Sequence, residues 1–137
     1  QKRETPVAIQ FTGVVPILRM FDIAKAEEFY LGYLGFQVDW DHRFDAAAPL
    51  YRQISRDGLI LHLSEHHGDG SPGVHLRVTM RGVEALHREL AAKAYRYMRP
   101  GLEKTDWGTL ETTVLDPFGN LLCFSERVEP QSVGEAG

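Results

Sequence analysis

The chain has 137 residues, 43% hydrophobic and 25% charged, proportions that suit one globular domain with its own core and exclude a disordered or low-complexity chain. Its formal net charge of -4 and lack of a basic run argue against a nucleic-acid surface, and no apolar run approaches the roughly 20 residues of a membrane span. The single cysteine, Cys123, excludes an intrachain disulfide, and with no charged-then-apolar leader at the start a cytoplasmic protein is expected.

In chain order, residues 1–10 read as a flexible arm. Phe11 to Leu18 is β-rich, with Pro16 marking an edge position. Asp22 is placed to cap a helix in which Ile23, Ala26, Phe29, Tyr30, Tyr33 and Leu34 recur at helical spacing. Gly35 sits where that helix should end. The run from Phe36 to Phe44 alternates, so Phe36, Val38, Trp40, His42 and Phe44 are expected on one strand face. LYRQIS and LILHLSE flank the turn Arg56-Asp57-Gly58, and Asp-Gly is a strong hairpin signal. HHGDGSPG is a loop. The second half repeats this order. VHLRVTM is a strand, and GVEALHRELAAKA is a helix with Val83, Leu86, Leu90 and Ala94 on one side. YRYMRPG, WGTLETTVL and LLCFSER then follow as strands, the last two joined by DPFGN. Residues 128–137 read as a flexible tail.

The two halves match internally. ISRDGLILHLSE superposes on VLDPFGNLLCFSE at an offset of sixty-one residues, so that His62 meets Cys123 and Ser64-Glu65 meets Ser125-Glu126. The helix at Ile23 meets the helix at Val83, and Leu18-Arg19 meets Leu76-Arg77. Duplication predicts two similar supersecondary units sharing one core.

With the closing DPFGN turn, this order resembles the vicinal-oxygen-chelate superfamily of glyoxalases, bleomycin-resistance proteins and dioxygenases, from Phe11 to Arg127. VPILRMFDIAKAEEFYLGYLGF, RGVEALHREL and WGTLETTVLDPFGNLLCFSE carry the likeness, which is closest to the bleomycin-resistance-like branch. The resemblance implies an α+β fold: two tandem βαβββ modules, about 11–66 and 73–127, forming a curved, half-open mixed sheet with flanking helices. It also implies a homodimer whose clefts are completed between subunits.

The positions that hold metal in catalytic members fall at Val15, His62, His75 and Cys123. Valine cannot ligate, and none of the four is a carboxylate. His62, His75 and Cys123 could still hold zinc tetrahedrally with one open position. The expectation is nonetheless no metal and no cofactor. His66 and His67 read as solvated loop residues before Gly68.

Aromatic and acidic residues remain for binding. Trp40, Phe44, Tyr51, His62, His75, Trp107, Glu111 and Phe118 are the expected ligand-binding set. Trp107-Gly108 matches a Trp-Gly pair of the bleomycin-resistance branch, with Asp106 where that branch has proline. Aromatic walls favour a planar ligand, and Asp39, Asp41, Asp106 and Glu111 would draw a cationic group to it. The resulting expectation is a non-catalytic protein that sequesters a planar aromatic, on this reading cationic, antibiotic of the bleomycin type or a metabolite. The alternative is a metal-dependent lyase, isomerase or dioxygenase using His62 and His75.

Overall fold

The computed structural model describes residues 8–128; most of the expected N-terminal arm and all but Val128 of the expected tail lie outside them. The first module runs β1 (Ile17–Arg19), α1 (Ile23–Ala26) with a π-helical continuation (Glu27–Tyr33), β2 (Gln37–His42), β3 (Tyr51–Arg56) and β4 (Leu59–Ser64). The second runs β5 (His75–Thr79), α2 (Val83–Lys93), β6 (Glu103–Lys104), β7 (Thr109–Leu115) and β8 (Leu121–Arg127). Each forms a four-stranded sheet, ordered β1-β4-β3-β2 and β5-β8-β7-β6. The outer pairs β1–β4 and β5–β8 are parallel and the others antiparallel.

Local chemistry explains most boundaries. The Asp22 carboxylate accepts the Lys25 amide at 2.9 Å and starts α1. Gly35, at φ +77°, ends the π segment in the left-handed conformation that its missing Cβ permits. The widened segment frees carbonyls at its end, and cations from elsewhere take them. Lys93 donates to the Tyr33 carbonyl at 2.7 Å, and Arg56 donates to the Leu34 carbonyl at 2.6 Å while paired with Glu89. Asp57 and Gly58 both have positive φ, as the two-residue β3–β4 hairpin requires.

One core joins the modules. Leu18, Ile54, Leu61 and Leu63 of the first sheet bury in the same cluster as Val114, Leu122 and Phe124 of the second. Phe29, Tyr30, Tyr33 and Leu34 from the first helix and Val83, Leu86 and Leu90 from α2 join them. Each such side chain contributes about 1.5–3 kcal/mol by burial. Because both sheets place one face in this shared core, each turns its other face away from it.

Three sequence expectations need correction. A β-bulge between Val38 and Trp40 breaks the predicted alternation, so Phe36 enters the core while Trp40 stands on the open face. YRYMRPG is no strand: Tyr95 leaves the helix to stack on Tyr33 at 4.5 Å, and the edge strand is the two-residue β6. Ala94 adopts φ +51° as the α2 cap and is exposed instead of joining the apolar side.

The repeat itself holds in a different register at its first strand. Met20 donates its amide to the Ser64 carbonyl, and Met80 donates to that of Ser125. Arg19 therefore corresponds to Thr79, and Arg77 corresponds to Ile17. The shared Leu-Arg dipeptide is a coincidence of composition, whereas backbone pairing to the neighbouring parallel strand fixes the true alignment.

Candidate functional site

The open face of the first sheet is aromatic. Trp40 lies nearly parallel to Tyr51, with ring centroids 6.1 Å apart and planes 13° apart, and its edge-on neighbour is His62 at 5.3 Å. Strand alternation places Tyr51 and Gln53 together on β3, with His62 beside them on β4. The Tyr51 hydroxyl donates to His62 Nδ1 at 2.7 Å, and His62 Nε2–H donates to Gln53 Oε1 at 2.9 Å. Both ring nitrogens are thereby engaged. Burial pushes the His62 pKa below its ordinary 6.5. An NMR titration is expected to place the His62 midpoint below that value; a midpoint above it would contradict the hydrogen-bonded arrangement.

Carboxylates on this sheet are already partnered. Asp41 receives two bonds from Arg52, at 2.7 and 3.0 Å, and Arg52 also reaches Glu27 at 2.8 Å. Asp39 accepts from Gln53 and Ser55. Phe44 sits beyond the end of β2, 84% exposed, with its ring on His42. Val15 is exposed two residues before β1.

The second sheet presents a polar face around Glu111. Its carboxylate accepts from Arg77 at 2.6 Å, Thr109 at 2.8 Å, Ser125 at 2.9 Å and the Cys123 thiol at 3.3 Å. Burial alone would raise the Glu111 carboxyl, but the bonds from Arg77, Thr109, Ser125 and Cys123 outweigh it and hold the pKa at about 2. Beside this network opens a cavity of about 910 Å³, lined among others by Arg77, Arg81, Trp107, Thr109, Ser125 and Arg127. Trp107 is 60% exposed there, and its carbonyl is held by Arg127 at 3.1 Å.

The predicted ligand-binding residues thus divide into two groups. Trp40, Tyr51 and His62 converge on the first sheet. Glu111 and His75 lie on the second, and Trp107 lies in the loop leading into it. Phe118 packs against the shared core with its ring on Phe21. Among the described residues no hydrogen bond or ring contact joins the two groups. The sequence reading missed Gln53, which orients His62, and the three arginines of the cavity. A signal for two of them existed: Arg77, Thr79 and Arg81 alternate along and just beyond β5, the spacing of one strand face.

The four inherited metal positions do not fit a metal. Val15 has no donor atom, and both nitrogens of His62 are hydrogen-bonded. The Cys123 thiol is engaged as a donor to Glu111 at 3.3 Å, a bond that a metal-bound thiolate would forfeit. Among the described residues no group of three or more His, Cys, Asp or Glu converges on a point that could hold an ion. His66 and His67 sit beyond β4, and His66 donates its backbone amide to Ser64 Oγ.

Two mixed four-stranded sheets with uncovered faces, joined by a shared helical core, define the glyoxalase/bleomycin-resistance fold. A family profile described as glyoxalase superfamily protein matches residues 2–131, and the chain belongs to that superfamily, the vicinal-oxygen-chelate group. Solved structures agree. A bleomycin-binding protein complexed with bleomycin superposes with a TM-score of 0.66 at 20% identity, covering 85% of this chain and 98% of that one. The bleomycin-binding protein of Streptomyces verticillus, complexed with copper(II)-bleomycin, gives 0.61 at 26% identity over 85% and 97%. An antibiotic-binding protein from Streptomyces sp. CB03234 gives 0.65 at 20% identity over 88% and 99%. No curated protein matches the sequence. Among the described residues no helix is long and apolar enough to cross a membrane.

Proposed function

We propose that this protein sequesters a planar aromatic small molecule without transforming it, in a reducing compartment, as a homodimer. The observation that carries the reading is the open face of the first sheet, where Trp40 is stacked on Tyr51 yet remains 43% exposed. A ring laid against that wall leaves water and gains about 0.5–1.5 kcal/mol per aromatic pair beyond area burial. Trp107 offers a second such surface at the 910 Å³ cavity. Each open face is half of an enclosure. Placing the first sheet of one copy over the second sheet of another would bury both, which supports a dimer with two equivalent clefts.

The chemistry of the face also supports binding over turnover. His62 is locked between Tyr51 and Gln53, Cys123 is a protonated thiol, and the inherited metal positions lack a fitting donor set. Antibiotic binding by three structural relatives adds support for the ligand class, with bleomycin as the first candidate.

The test uses the two tryptophans, Trp40 and Trp107, as the reporters. Adding bleomycin or copper(II)-bleomycin is expected to change their emission saturably and to return the drug chemically unchanged. Trp40→Leu should weaken binding by about two- to tenfold, and sedimentation should show a dimer. Saturable binding that leaves Trp40→Leu unaffected would remove the first sheet from the site. A chemically altered drug would establish an enzyme instead.

A further inference from the structure

We infer that the cavity on the second sheet selects an anion: the planar aromatic ligand carries a carboxylate or comparable oxyanion, held by Arg77, Arg81 and Arg127, with its ring against Trp107. This rests on the reading that the open faces bind a planar aromatic molecule, and it replaces the cationic ligand that Asp39, Asp41, Asp106 and Glu111 suggested; bleomycin, with its cationic tail, then probes the aromatic wall and is not the inferred ligand.

The carboxylates near the cavity are committed to partners within the protein. Glu111, the carboxylate that would have attracted a cation, is turned into a network of four donors. Glu126, the one carboxylate among the residues lining the cavity, directs one oxygen to the Gly82 and Val83 amides at the start of α2, at 2.9 and 3.0 Å. Asp106 is exposed but does not line the cavity. On the first sheet Asp39 and Asp41 are engaged as well.

The arginines are not. Arg77 gives Glu111 a single nitrogen, and its side chain is 49% exposed. Arg127 gives one nitrogen to the Trp107 carbonyl. Arg81 makes no hydrogen bond or ion pair with any described residue. Three planar guanidinium groups therefore border one cavity with most of their donors unfilled. Such forks match carboxylate or phosphate oxygens two at a time, a geometry that a cation or neutral group cannot use. An indole ring beside them supplies the flat apolar wall for the remainder of the ligand.

The experiment compares three probes that share one ring system and differ in charge: 9-anthracenecarboxylate, 9-anthracenemethanol and 9-(aminomethyl)anthracene as its ammonium. Each is titrated into the full-length protein and followed by energy transfer from tryptophan. The carboxylate is expected to bind at least about tenfold tighter than the alcohol, and the ammonium more weakly than either. Arg81→Gln should remove at least about half of that advantage on a logarithmic scale while leaving the alcohol unchanged. Arg81 is exposed and without a described partner, so this change leaves the fold intact. An alcohol or ammonium that binds as tightly as the carboxylate overturns the anion inference and leaves the aromatic reading standing. So does an Arg81→Gln protein with the full preference, because the least committed of the three arginines would then take no part in holding the anion. Failure of all three to bind overturns both.

Discussion

Replacing Asp116 with alanine is expected to lower the unfolding free energy by about 3–4 kcal/mol, read by urea denaturation. This carboxylate is buried at the β7–β8 turn and serves four donors. The Phe118 and Asn120 amides reach it at 2.8 Å each, the Asn120 side-chain amide at 2.9 Å, and the Tyr30 hydroxyl at 2.6 Å. Three of those bonds hold the turn that sets the β7–β8 register. The fourth crosses from the π segment of the first module to the second, so one side chain fixes both a hairpin and the module junction. Tyr30→Phe should cost about 1–2 kcal/mol, the value of a bond to a charged acceptor with the ring kept in place. In a double-mutant cycle the two changes should couple. A loss below about 1 kcal/mol for Asp116→Ala would show that water replaces the network at little cost.

The Glu111 network should give the second large effect. Glu111→Gln keeps the shape of the side chain but removes the charge that Arg77 and three neutral donors share, and a loss of about 2 kcal/mol is expected. Its signature is pH dependence. The folded-state pKa of about 2 lies below the ordinary value of 4.5, so folding favours the ionised form. That stabilisation is complete above about pH 4.5 and disappears as the pH falls towards 2. Because its charged partner Arg77 is half-exposed and screened by solvent, although Glu111 itself is buried, about 1–2 kcal/mol is expected to be lost across that window. Glu111→Gln should lose correspondingly less. Parallel stability curves for the two proteins would contradict the assignment. The same substitution leaves Arg77 without its carboxylate, so it should also strengthen binding of an anionic probe.

The two networks differ in how readable they were. Asp116 stands in DPFGN, whose turn chemistry is local: Asp accepts from amides two and four residues ahead, and Gly119 supplies the positive φ. The link to Tyr30, eighty-six residues away in sequence, had no local signal. Glu111 was legible as a residue of interest, but its sign of action was not. A carboxylate in a strand looks like a site for cations until its partners are known, and three of the four come from β5 and β8, brought beside β7 only in the folded sheet.

Trp40 and Trp107 were both identified from sequence, and both are substantially exposed on or beside open faces. The sequence placed Trp40 on the first module and Trp107 on the second. In the structure they stand at the open faces of two different sheets, because the apolar faces of both modules are consumed by a single shared core.

What the sequence by itself determined was therefore most of the elements, the edge strand β6 excepted, and their duplication. Apolar spacing, the Asp22 cap, the Asp57-Gly58 and Asp116–Asn120 turns and the family likeness all act over a few residues or along one strand. Only the tertiary structure decided the registers of β1 on β4 and of β5 on β8, the bulge that turns Trp40 outward, and the state of each charge. Those depend on backbone bonds and ion pairs between segments far apart in the chain, where no local preference speaks for one partner over another.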